Sequence, residues 1–180
     1  MTAVLYAKRG SVYNDLAVDV WDEARDARLY PGPFPVIAHP PCRSWGRFAQ
    51  WAKPADHERD LAFHALSCVR RYGGVLEHPN GSKLWRVAGL PRPGEPPDEY
   101  GGYSVTVNQV DWGHRAIKST LLYIVGVPLH ALPERPSPGV PVTTVERMWR
   151  GEREATPERF AIWLLQIANR VHSSLVPMCN

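Results

Sequence analysis

Three short apolar runs punctuate the chain, each closed by glycine or proline: residues 34–39 (FPVIAH), 73–78 (GGVLEH) and 119–126 (STLLYIVG). Their length and their Val, Ile and Leu content predict buried strands. Residues 103–110 (YSVTVNQV) alternate more strictly and predict an edge or half-buried strand. A weaker apolar run at 3–7 (AVLYA) predicts a first strand. Two segments switch to helical spacing. In residues 55–74, Leu61, Ala65, Leu66, Val69 and Tyr72 share one face. Asp56, Glu58 and Asp60 open this helix, Arg70 and Arg71 close it, and Gly73 supplies the stop. The second helix starts at TPERF, with Thr156 as N-cap and Pro157 at the first helical position. It carries Phe160, Trp163, Leu164, Ile167 and Val171 on one side.

Strands separated by long helical crossovers predict an α/β fold. The expected architecture is a three-layer, open, mostly parallel sheet with flanking helices, truncated relative to a full Rossmann-like sheet. At 180 residues the chain is expected to form a single domain, 1–180. Pro/Gly-rich loops are expected near 89–103 and 128–141, and loops of that length are commonly functional.

Composition narrows the setting. No apolar run approaches the length of a membrane span, so no membrane association is expected. The opening residues turn polar too early for a signal peptide. Three cysteines, few and odd in number, favour a reducing, cytoplasmic location over a disulfide framework. A net charge of +3 is compatible with nucleic acid without requiring it. Seven tryptophans exceed the needs of a core this size, which places some at a binding surface.

Ligands of parallel α/β sheets collect beyond the carboxyl ends of the strands. Three polar segments fall there: HPPCRSWG (39–46), EHPNGSKLW (77–85) and NQVDWGHRAIK (108–118). Cys42, in a stiff proline turn, has three uses open to it: nucleophile, metal ligand, or inert packing residue. As a nucleophile it would draw on Arg43, Arg115 or Lys118 to lower its pKa. Cys68 falls near the apolar face of the first helix and reads as core, and Cys179 falls at a frayed end. Glu77, at the end of a buried strand, is expected to have a raised pKa and to donate a proton, or else to pair with an arginine. His39, His78 and His114 with Cys42 offer nitrogen and sulfur ligands, although their spacing is not that of a zinc motif, and no metal is assigned.

Taken in order, HPPC with RSWG, LEHP, and VNQVDWGHRAIKSTLLYIVG resemble the catalytic core of DNA (cytosine-5) methyltransferases. They look like that family's Pro-Pro-Cys loop, its Glu-Asn-Val segment and its basic strand start followed by Phe-Ile-Val-Gly. Small bacteriophage proteins bearing the same three segments are similar too, which would put the chain in a host cytoplasm. The resemblance implies catalytic roles for Cys42, Glu77 and Arg115. Cys42 would attack C6 of a flipped cytosine, Glu77 would bond N3, and Arg115 or Lys118 would hold the base carbonyl. Trp45 or Trp112 would stack on the base. Pro41, Asn108 and His114 complete the implied substrate-binding set, and Arg43, Arg47 and Lys53 would hold phosphates. The implied donor is S-adenosylmethionine and the implied partner is DNA or a pyrimidine nucleotide. Where the family has a Phe-x-Gly-x-Gly loop, this chain has one glycine before residue 30. It also lacks the family's large target-recognition region, so a partner protein is an expected source of sequence recognition. Two further readings stand beside this one: a catalytically inactive relative that binds nucleic acid or a host protein, and a metal-dependent hydrolase or deaminase.

Overall fold

A computed structural model describes residues 1–46, 49 and 57–171. Arg47, Lys53, Asp56 and Cys179 lie outside the described residues. In chain order the main elements are β1 (Ala3–Leu5), β2 (Asp19–Trp21), β3 (Val36–Ala38), α1 (Glu58–Tyr72), β4 (Gly74–Pro79), α2 (Leu84–Val87), β5 (Tyr103–Asn108), β6 (Ser119–Val125), α3 (Arg150–Glu154) and α4 (Glu158–Ala168). Short 3-10 turns fill several connections, among them Val12–Asp15 and Gln109–Trp112.

The six strands form one mixed sheet in the order β2-β1-β3-β4-β6-β5. The β2-β1, β1-β3 and β3-β4 pairs are parallel, whereas β6 runs antiparallel to both β4 and β5. The fold is therefore α/β, but the sheet is parallel only over β1 to β4 and β5 joins β6 as a hairpin. The reason lies in the connection. Residues 109–118 are fewer than the dozen or so that a parallel crossover requires. The helix 58–72 between β3 and β4 is long enough, and there the pairing is parallel.

Side chains alternate across the strands and fill two cores. Ala3, Leu5, Val36, Ala38, Leu76 and Tyr123 face α1, which buries Ala62, Ala65, Leu66 and Val69 against them. Cys68 belongs to that core, as its helical position requires. Val4, Ile37, Val75, Leu122 and Ile124 face α4, which buries Phe160, Trp163, Leu164 and Ile167. Helix α4 begins one residue later than the TPERF signal suggests. Pro157 is its N-cap, no side chain caps it, and Thr156 precedes it. Between β3 and β4 the backbones touch at Gly74. Its φ is +118°, and a Cβ there would collide with the Val36 carbonyl, so only glycine permits this register. That register pairs Ala38 with Leu76 and sets the next residues, His39 and Glu77, side by side.

Candidate functional site at the carboxyl ends of the strands

His39 and Glu77 meet on the α4 side of the sheet. His39 Nδ1 lies 3.1 Å from Glu77 Oε2, and its Nε2 lies 2.9 Å from the Tyr13 hydroxyl. Gln109 Nε2 donates to Glu77 Oε1 at 3.1 Å and to Thr120 Oγ1 at 3.0 Å. The Thr120 hydroxyl in turn donates to the Lys118 carbonyl at 3.1 Å. A carboxylate only accepts, so the shared proton resides on His39 Nδ1 whenever Glu77 is ionised. Both side chains are nearly closed off, with 13 % and 12 % exposure.

This arrangement corrects the expectation that Glu77 carries a raised pKa. Burial alone pushes its pKa up and is the largest single influence. The His39 hydrogen bond, the His39 charge, Lys118 and His78 together outweigh it, and the pKa falls to about 2. Glu77 is an anion at rest and has no proton of its own to donate. Tyr13, fully buried and beside that anion, is pushed far above the ordinary phenol range and keeps its proton.

Cys42 begins the turn that follows β3. Its carbonyl accepts from the amides of Trp45 (3.0 Å) and Gly46 (2.8 Å). The half-buried thiol is free, and its pKa is raised. Burial contributes most, Glu77 adds to it, Lys118 opposes it, and Glu154 raises it further. The cations expected to activate the thiol are engaged elsewhere. Arg43 pairs with Glu58 through bonds of 3.1 and 2.6 Å, and Arg115 pairs with Glu152 at 2.6 Å. Lys118 donates to the Ala155 carbonyl at 3.2 Å, yet it is the cation whose field lowers the Cys42 pKa.

Neither tryptophan expected to stack on a base is free to do so. Trp45 is fully buried, with Phe63 edge-on at 5.5 Å and the Arg59 guanidinium 4.7 Å from its ring. Trp112 is buried between Phe160 and Trp163, at 5.1 and 4.8 Å. Both are core residues because partners distant in sequence close over them. Asn108 is exposed at the end of β5, and Pro41 is half-buried before the thiol. His114 is buried, its Nδ1 lying 2.7 Å from the Ala116 carbonyl, so it supports the backbone.

His78, fully buried, places Nδ1 2.7 Å from the Ser82 hydroxyl. Burial drives its pKa down to about 4, against the influence of Glu77 and of the Pro41 and Pro40 carbonyls. The histidines thus point to separate partners. Among the described residues, no three His, Cys, Asp or Glu side chains are grouped to hold a metal ion.

The loop between β1 and β2 carries one glycine, Gly10, with a φ of +68° and open space where a Cβ would stand. After β2, Asp22 spends its side chain on the amides of Ala24 and Arg25.

Sequence reasoning missed three members of the network: Gln109, Tyr13 and Thr120. For His39 the sequence points to a potential metal ligand, and the structure gives it a hydrogen-bonding role instead. One signal was available. With parallel β3 and β4 in register at Ala38 and Leu76, the following His and Glu must be neighbours. Gln109 carried no such signal, because its approach to Glu77 depends on the turn of β5 into β6. No known family model matches the chain, and no curated protein matches it.

Proposed function

We propose that the carboxyl edge of this sheet binds a pyrimidine base, in DNA or a nucleotide, and modifies it covalently through Cys42. The sheet is read as a truncated Rossmann-like one whose β5-β6 hairpin completes the edge. The observation that carries the proposal is the ionised Glu77, held by His39 and Gln109 and electrostatically coupled to the Cys42 thiol. Glu77 acts first as base and then as acid. It takes the thiol proton, the sulfur bonds to C6, and the C5–C6 π pair moves through C4 toward N3. N3 then takes the proton from Glu77, which returns to its anionic state, and C5 becomes nucleophilic. His39 and Gln109 hold the carboxylate in place, and Lys118 favours the thiolate as it forms. S-adenosylmethionine is the donor this reading implies, and it would supply a methyl group to C5.

The test is mass spectrometry of nucleosides from DNA of cells making the protein. A pyrimidine nucleoside of new mass is expected with the wild type and absent with Cys42→Ala. A new nucleoside that persists in Cys42→Ala overturns the mechanism. A specific observation favours a second reading, binding without turnover. The resting thiol is raised, and Arg43 and Arg115 are tied to carboxylates. On that reading no new nucleoside appears, and Cys42→Ala binds an oligonucleotide as tightly as the wild type.

A further inference from the structure

Beside the candidate site, residues 139–155 carry an aromatic side chain that the core does not use. Trp149 is 73 % exposed, the most exposed aromatic ring among the large apolar side chains of the described residues. It is nevertheless fixed. It stands as the N-cap of α3, directly after the buried Met148, and its six-membered ring lies against the backbone of Gly151. A Cβ at Gly151 would collide with the outer carbons of that ring, so the glycine makes the notch in which the indole rests. One part of the indole is seated on backbone, and most of the rest faces solvent.

The segment is anchored to the elements that build the site. Thr143 bridges to Ala116, and the amides of Val142 and Thr143 donate to the Arg115 carbonyl at 2.9 and 3.2 Å. Glu152 holds Arg115, and Ala155 accepts from Lys118. Glu154 is close enough to raise the Cys42 pKa. Arg147 and Arg153, two residues before and four residues after Trp149 in the sequence, are exposed, and no ion pair or side-chain hydrogen bond occupies them among the described residues.

The geometry points to Trp149 as a stacking platform for a nucleobase of single-stranded or locally opened nucleic acid, with Arg147 and Arg153 available to its phosphates. This inference rests on the reading of the edge as a base-binding site, and adds the element that holds the strand next to it. An indole pre-set by a glycine notch loses little freedom on stacking, and a face open to solvent accepts any base. Two unpaired arginines supply the sequence-independent attraction to the backbone. The tryptophans read from sequence as stacking residues are buried, and this one takes that role.

The experiment measures the affinity of the full chain for a fluorescein-labelled, single-stranded pyrimidine oligonucleotide by anisotropy. Removing an exposed side chain leaves the core intact, so Trp149→Ala is expected to fold and to bind about tenfold more weakly, the loss of roughly one stacked base. Trp149→Phe is expected to recover most of that loss, and Gly151→Ala, which displaces the ring, to reproduce part of it. If affinity falls in Trp149→Ala while no Cys42-dependent nucleoside is found, the platform stands and the covalent reading fails. If the modified nucleoside appears and Trp149→Ala binds within twofold of the wild type, the platform is overturned and the covalent reading stands. Absence of any binding by the wild type overturns the platform as well.

Discussion

Glu77 stands in the middle of a hydrogen-bond chain from Tyr13 to the Lys118 carbonyl, and its charge governs both its neighbours and the pH response. Because Glu77 raises the Cys42 pKa and Lys118 lowers it, two variants should move the thiol in opposite directions. The pH profile of iodoacetamide alkylation at Cys42 is expected to shift to lower pH in Glu77→Gln and to higher pH in Lys118→Met. The Glu77→Gln shift is partial, since burial is the larger cause and persists.

Stability follows the same groups with definite signs. Glu77 is depressed to about 2, so its contribution is complete above its ordinary pKa of 4.5 and is lost as pH falls through 2. His78 is depressed to about 4 from 6.5, so the unfolded chain binds a proton there before the native one does. Stability is therefore expected to fall as pH drops from 6.5 to 4. Urea unfolding should show that His78→Asn flattens this window while leaving the more acidic Glu77 window in place. At this scale the sequence made Cys42 and Glu77 legible, because Cys42 follows one predicted strand and Glu77 ends another. It did not make their ionisation legible. The Glu77 anion depends on His39, Gln109 and Lys118, and two of those approach through turns that periodicity does not describe.

At the scale of elements, the strands of six or seven residues were readable nearly to their ends. The expected runs 73–78 and 119–126 became Gly74–Pro79 and Ser119–Val125. Three elements were not readable: β2, α2 and α3. They have three, four and five residues, too short to show a period. The direction of β6 was set by the short link 109–118, a constraint of length and not of pattern. The tryptophans show how packing overrides composition. Trp112 sits between Phe160 and Trp163, so Trp112→Ala is expected to cost about 3–5 kcal/mol in denaturant unfolding. A surface stacking residue at that position would instead lower oligonucleotide affinity with stability unchanged. The contrast with Trp149, where affinity and not stability should respond, separates core from platform on two elements of one chain.

For the molecule as a whole, ion pairs ring the carboxyl edge: Lys8 and Arg150 with Glu154, Arg115 with Glu152, and Arg43 with Glu58. They draw α3 toward the loops after β1 and before β6, and the Arg43 pair ties the Cys42 turn to the start of α1. The Lys8, Arg115 and Arg150 pairs join exposed cations to partly exposed carboxylates, so each contributes little to stability, whereas Arg43 satisfies the buried Glu58 and is held more firmly. Lys8, Arg43, Arg115 and Arg150 at this edge already have internal partners, so few cations are left for phosphates and salt is expected to weaken nucleic-acid binding only moderately. Among the described residues no helix is long and apolar enough to cross a membrane.

The central claim is that Cys42 adds to C6 with Glu77 carrying the proton, and it can be measured with no group donor present. Addition at C6 makes C5 basic, so a cytosine deuterated at C5 should lose its label to water as the adduct forms and reverses. With an oligonucleotide carrying that base, mass spectrometry should show deuterium loss with the wild type, strong slowing in Glu77→Gln, and none in Cys42→Ala. Retention of the label by a wild type that binds the oligonucleotide, or its loss in Cys42→Ala, would contradict the account.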